Sequence, residues 1–153
     1  MQIVLVLHNL MRWAVTIFGL WTLFSAISGV ISKRNFTPAD NKANLLFMIS
    51  CDIQLILGLV LYFVNSWFDR LKDLSNNMKD ANTRFFTIEH ALMMIIAWLL
   101  VHVGRVSVKR AGTSSAKHKR SLIFFGLAIL LILAAIPWPF REAIARPLYR
   151  WFN

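Results

Sequence analysis

The chain has 153 residues, about the length of one domain. Its residues are 58% hydrophobic and 16% charged, whereas soluble proteins carry about 25% charged residues. These proportions exclude a disordered chain, a disulfide-linked scaffold and an ordinary soluble enzyme. They predict a small integral membrane protein.

The net charge is +10, but the Lys and Arg residues lie between long apolar runs rather than along one solvated face. We therefore expect them to meet the acidic headgroups of membrane lipid, and we expect no nucleic-acid partner. The single cysteine, Cys51, lies inside an apolar run. It excludes both an intrachain disulfide and a covalently attached c-type haem.

Four apolar runs are each near the roughly 20 residues needed to cross a bilayer. Because a membrane-spanning segment must satisfy its own backbone hydrogen bonds, these runs predict four helices. The expected helices cover residues 3–31, 43–68, 85–106 and 117–138. The expected fold is all-α, an up-down-up-down four-helix bundle that forms a single transmembrane domain over residues 1–153.

The chain after the fourth run has a different pattern. Pro137 and Pro139 end the fourth helix, because proline cannot continue the hydrogen-bond ladder. Beyond them, apolar residues alternate with three arginines. Segment 141–152, which includes Ile144, Leu148, Trp151 and Phe152, is therefore predicted to be a short amphipathic helix in the membrane interface.

Four spans place both termini at one end of the bundle, which we call the A end. The loops at 32–42 and 104–120 lie at the opposite, B end. No charged residue precedes the first run, whereas Lys33 and Arg34 follow it. The positive-inside rule then predicts that the B end faces the cytoplasm and that both termini lie outside it. A bacterial inner membrane is the expected location.

Two histidines occupy matching positions in the first and third helices. His8 and His90 each lie about five residues from the A end, roughly 8 Å into the bundle at the rise of an α-helix. Helices 1 and 3 are diagonal in such a bundle, about 14 Å apart if neighbours are about 10 Å apart. This spacing suits two imidazoles that ligate the iron of one b-type haem. The alternative is that both are interfacial polar residues.

His102 and His118 form a looser pair near the B end, which predicts a second, less certain haem. His102 follows His90 by twelve residues, about 18 Å along the helix axis and 120° around it. His118 lies just before the apolar part of helix 4, which we expect to begin near Ser114 or Ser115. The alternative for His118 is a solvated place in the basic run 117–120.

These positions resemble the small four-helix membrane b-type cytochromes, including proteins named simply cytochrome b and, more distantly, cytochrome b561-like bundles. The matching segments are His8-x-x-x-Arg12-Trp13, residues 51–63, Glu89-His90, Gly104-Arg105 and Ala116-Lys117-His118-Lys119-Arg120. The resemblance implies non-covalent haem b and electron transfer across the membrane. The chain departs from the larger cytochrome b pattern, because helix 1 has Leu20, Trp21 and Thr22 where a second histidine would fall.

Three further residues are candidates for cofactor contacts. Arg12 lies one turn from His8 on the same face, where it can pair with a haem propionate or with Glu89, or reach lipid headgroups. Gly19 leaves room for a porphyrin edge, although a helix–helix contact explains it better. Arg105 is most simply a headgroup anchor, with a propionate contact as the lesser option.

Asp52 and Gln54 lie near the middle of helix 2. A carboxyl group in hydrocarbon needs a partner or a proton. It therefore indicates either a proton relay or quinone contact, or a buried bond to a neighbouring helix.

The leading hypothesis is a b-type cytochrome that exchanges electrons with quinone or a respiratory subunit. The alternatives are a non-catalytic accessory subunit, or a small proton or metal transporter that uses Asp52, His8 and His90. A homo-oligomer is compatible with each of these.

Overall fold

The computed structural model describes residues 2 to 150 and contains helices and no strand in that range. Four of its helices are long and apolar enough to cross a membrane. They are α1 (Gln2–Ile31), α2 (Pro38–Val64), α3 (Ala81–Lys109) and α4 (Ser114–Ala135). Two short helical segments, Asp69–Asp73 and Leu74–Asn77, connect α2 to α3.

Helix α2 begins and ends earlier than the apolar run predicted. It begins at Pro38 because Thr37 and Asp40 form a reciprocal capping box, with proline at the first helical position. Its end at Val64 is followed by Asn65, whose side chain donates to the carbonyl oxygen of Leu61 at 2.9 Å. The capping residues and the end of α2 do not belong to the hydrophobic pattern. A prediction from hydropathy alone therefore misplaced both boundaries of the helix.

Helix α4 is also shifted toward the N-terminus. Thr113, rather than Ser114 or Ser115, caps it by accepting a hydrogen bond from the backbone N–H of Ala116. The helix ends at Ala135 because Ile136 precedes a proline and adopts an extended conformation.

The four helices pack as a ring. Helix α1 packs along α2 and α4, and α3 packs along α2 and α4, so α1 and α3 lie diagonally opposite. The central part of the ring is filled by buried apolar side chains, among them Phe47, Val101, Phe125 and Ile129. This packed centre separates the polar groups near one end of the bundle from those near the other.

The loop between α1 and α2 is held by a buried carboxylate at the B end. Asp40 is 3% exposed and accepts two hydrogen bonds from Arg34, at 2.6 and 2.7 Å. It also accepts bonds from Ser25 of α1 and Thr37. The bond to Asp40 raises the pKa of Arg34 above its usual value, which keeps the guanidinium charged beside its partner.

The predicted C-terminal interfacial helix is wrong within the described residues, where the chain after α4 forms turns and irregular structure. Pro137, Pro139 and Pro147 interrupt any helical ladder there. The carbonyl oxygens of Pro147 and Leu148 instead accept hydrogen bonds from α1 side chains. The tail therefore crosses α1 at the A end; Trp151 and Phe152, which the prediction included, lie outside the described residues.

Candidate cofactor site

His8 lies between α1 and α2, with its ring against Gly58. A Cβ atom added to Gly58 would lie 3.2 Å from Cε1 of His8. The side-chain amide of Gln54, one turn earlier in α2, donates to the backbone oxygen of His8 at 3.1 Å, and its Nε2 lies 3.3 Å from the ring Nε2. The remaining ring nitrogen, Nδ1, is buried and has no hydrogen-bond partner among the described residues.

An orphaned buried polar atom of this kind is uncommon, because it loses its bonds to water and gains none in return. An amide nitrogen only donates, so the ring Nε2 of His8 accepts from Gln54 and the buried Nδ1 carries the proton of the neutral imidazole. Gln54 thus orients His8 through both its ring and its backbone oxygen, and the lone pair of the ring lies at Nε2.

His90 directly follows a π-helical turn, Phe85–Glu89, in α3. Such turns are rare and often occur at functional sites. Nδ1 of His90 lies 2.9 Å from the carbonyl oxygen of Ala135 in α4. A carbonyl oxygen only accepts, so Nδ1 carries the proton and Nε2 keeps its lone pair. This bond is the arrangement by which proteins orient metal-ligating histidines.

The rings of Phe85 and Phe86 flank His90, with centroids 5.7 and 6.1 Å from the imidazole. Phe85 is fully buried, so this side of the site is apolar. His90 and His8 are themselves half-buried.

His8 and His90 therefore offer two imidazoles from diagonal helices, each oriented by a hydrogen bond with a neighbouring helix. This donor set fits a metal that takes two neutral imidazole ligands, as haem iron does. No group of three or more His, Cys, Asp or Glu residues in the described part of the chain is placed to hold a metal ion. A chelated divalent ion is a poorer fit than an iron porphyrin, whose other four ligands come from the macrocycle.

The second histidine pair has a different geometry. Nδ1 of His102 lies 3.0 Å from the carbonyl oxygen of Trp98, and its Nε2 lies 3.3 Å from Oδ1 of Asp52. Both ring nitrogens are thus engaged.

His118, by contrast, is 0% exposed, with both ring nitrogens unpartnered among the described residues. It packs against Gly29 of α1, where an added Cβ would overlap the imidazole, and against the ring of Phe36 at 5.1 Å. Its contacts are thus with α1 and the first loop, whereas those of His102 are with α2 and α3. Within residues 2–150 both ring nitrogens of His102 are engaged, whereas those of His118 have no partner, so the two histidines do not offer matching ligands; the second haem expected there stays a prediction.

Arg12 is buried and binds the C-terminal tail. Its Nη2 donates to the carbonyl oxygen of Leu148 at 2.5 Å, and the indole N–H of Trp13 donates to the same oxygen at 3.2 Å. The expected pairing of Arg12 with Glu89 is wrong, because Glu89 accepts from Arg84 at 2.7 Å. Arg12 thus ties the tail to α1 beside His8.

Gly19 and Arg105 serve helix packing. A Cβ at Gly19 would lie 2.6 Å from Cδ1 of Ile129 and 3.0 Å from Cε2 of Phe47, so side chains fill the space expected for a porphyrin edge. Arg105 is 5% exposed and donates to the side-chain oxygen of Asn41 at 2.7 Å. The expectation of a headgroup anchor is wrong for Arg105, because it lies inside the bundle.

Asp52 and Gln54 contact different neighbouring helices. Asp52 accepts from the indole N–H of Trp98 at 2.7 Å, so the bond to a neighbouring helix is the alternative that the structure contains. Gln54 belongs to the His8 site. Sequence reasoning missed Gly58, although a small residue one turn beyond a polar one on the same helix face indicates a place for a neighbouring side chain.

Comparison of the chain with protein-family models, with curated proteins and with solved structures found no match in any of the three.

Proposed function

We propose that this protein is a membrane b-type cytochrome that binds one haem through His8 and His90 and carries electrons. The observation that carries the proposal is the pair of imidazoles from diagonal helices, each oriented by a hydrogen bond with a neighbouring helix. Haem b, when bound, supplies a one-electron iron couple. The protein supplies its ligands and its apolar surroundings.

Membrane insertion is supported by the outward faces of the helices. Ile17, Phe24, Ile56 and Leu130 are each about 60% exposed, on four-turn or longer helices. Exposure of so much apolar surface to water is unfavourable, whereas lipid covers such a surface without cost. We propose that the helices alternate in direction and that the basic B end faces the cytoplasm, which places the termini outside it.

Each surrounding residue has a distinct role in this proposal. Gln54 and the carbonyl oxygen of Ala135 orient the two imidazoles. Phe85 and Phe86 keep water from His90. Arg12, held by Leu148, closes the A end and leaves its positive charge beside the site, where it favours an anionic group such as a propionate.

The geometry disfavours the transporter alternative. A relay would need Asp52 together with His8 and His90, but Asp52 bonds to Trp98 and His102, away from Gln54 and His8. Electron exchange with quinone or a respiratory subunit remains our proposal for the partner reaction.

The test is a reduced-minus-oxidised difference spectrum of the full chain purified from haem-replete cells, with haem per chain measured as the pyridine haemochrome. We expect a Soret band, a sharp α-band and about one haem per chain, because at the B end both ring nitrogens of His102 are already engaged. A colourless preparation would contradict the proposal and favour an accessory subunit.

A further inference from the structure

A groove of about 660 Å³ opens on the side of the bundle between α3 and α4, toward the B end. This volume lies within the range of about 300–1,000 Å³ that small-molecule sites occupy. Its walls are mainly apolar and include Val103, Val106 and Phe124. Val103 and Val106 are each about half exposed. The groove is therefore open and mainly apolar, and it runs along α3 and α4.

Two arginines line the groove where α3 ends and α4 begins. Arg110 directly follows α3 and is exposed, and Arg120 lies in the second turn of α4. Arg120 donates from Nη1 to the carbonyl oxygen of Ser107 at 2.7 Å, which holds its guanidinium at the groove. No acidic residue lines the groove in the described chain. The B-end part of the groove therefore carries an uncompensated positive charge.

The other end of the groove has no free polar nitrogen. His102 lines it there, but both ring nitrogens of His102 are already engaged by Trp98 and Asp52. The groove is thus charged at the end that holds the two guanidinium groups. Its other end is apolar, apart from the imidazole of His102, whose nitrogens already have partners. This gradient matches an amphiphile that has an anionic head and a hydrocarbon tail.

We propose that this groove binds an acidic phospholipid, with its phosphate at Arg110 and Arg120 and an acyl chain along Val103, Val106 and Phe124. Basic pockets between membrane helices bind acidic headgroups, and a guanidinium is well shaped to bind phosphate. A zwitterionic lipid is a weaker ligand because its own cation faces the same two arginines. The site is independent of the His8–His90 pair.

The experiment reconstitutes the full chain in vesicles that contain equal amounts of phosphatidylglycerol and phosphatidylcholine, and counts retained lipids by native mass spectrometry. The wild type is expected to retain phosphatidylglycerol in excess. Each arginine near a membrane surface contributes about fivefold in affinity, so Arg110→Gln should reduce that excess about fivefold. Lys119→Gln, which removes an exposed charge at the same end outside the groove lining, should leave it unchanged.

A second variant tests the apolar wall. Val106→Trp fills the groove without a change of charge and should abolish the excess, whereas Val60→Trp on the exposed face of α2 should not. Arg110 and Val106 are both exposed, so these variants keep the fold intact even if Arg120→Gln disturbs the bond to Ser107. Retention of the two lipids in their bulk ratio by the wild type would overturn the proposal. So would equal losses in Arg110→Gln and Lys119→Gln.

Discussion

The two ends of this bundle carry two histidines each and use them in opposite ways. At the A end, His8 and His90 are oriented by hydrogen bonds with neighbouring helices. At the B end, the two ring nitrogens of His102 contact Trp98 and Asp52, whereas His118 is buried against Gly29 and Phe36. Equal histidine content therefore does not indicate equal sites, because the hydrogen-bond partners of the imidazoles differ between the two ends.

The largest expected effect is loss of the haem from the A end. If haem is bound as proposed, His8→Ala or His90→Ala removes one of its two protein ligands and should reduce the haem that co-purifies with the chain to background. His102→Ala removes an imidazole of the same type at the B end and should keep haem at the wild-type level. Pyridine haemochrome assays on the purified variants make this comparison, and equal haem loss in all three would erase the distinction between the ends.

The next effect concerns the residue that orients His8. Gln54→Leu removes the amide that contacts the His8 ring and backbone, and loss of such an orienting partner costs about 10–100-fold in metal affinity. Haem titration of the apoprotein measures the change. Asp52→Asn, two residues away in the same helix, keeps an acceptor for Trp98 and should bind haem as the wild type does. Matching affinities for Gln54→Leu and the wild type would remove Gln54 from the site.

A smaller effect is expected at Gly58. In Gly58→Ala the new methyl group would lie 3.2 Å from Cε1 of His8, so the ring must shift by a few tenths of an ångström. We expect a loss of haem affinity below about tenfold, less than that of Gln54→Leu. Gly112→Ala is the matched control, because nothing lies within 4 Å of a Cβ there. An effect of equal size in the control would show that the contact with His8 is irrelevant.

The smallest expected effect on haem binding is that of a substitution at the B end. Gly29→Ala places a methyl group into the buried ring of His118, and such overpacking costs about 1–3 kcal/mol of folding stability. The thermal unfolding midpoint should fall while haem per folded chain stays constant. Haem loss without loss of stability would instead place a cofactor beside His118.

Much of the fold was predictable because hydropathy and span length are direct consequences of lipid solvation. The four helices of the structure overlap the four predicted runs. Their ends were not predictable from hydropathy, since Thr37, Asp40 and Thr113 set them through side-chain caps. The prediction for the tail was wrong because the tail is held through the backbone carbonyl oxygens of Pro147 and Leu148. Every residue type has such an oxygen, so the pattern of side chains did not indicate these bonds.

The candidate site was predictable only in part for a similar reason. The equal depth of His8 and His90 was predicted from helix rise and stays a prediction, because α3 begins at Ala81, earlier than the predicted run at residue 85. Their orienting groups, Gln54 and the Ala135 carbonyl oxygen, depend on which helices neighbour each other. The headgroup role expected for Arg105 was wrong because rotation about the helix axis places it inside the bundle, whereas Gly19 makes the helix–helix contact that the sequence favoured.

The most direct test of the central claim is chemical rescue of His8→Gly by free imidazole, read by electron paramagnetic resonance of the oxidised protein. If His8 and His90 are the two axial ligands, the wild type should give a low-spin ferric signal. His8→Gly reconstituted with excess haem keeps only His90 as a ligand, so the haem that binds should give a high-spin signal, and added imidazole should return it to low spin. A low-spin signal in His8→Gly without imidazole would contradict the claim, because some other residue would then hold the iron.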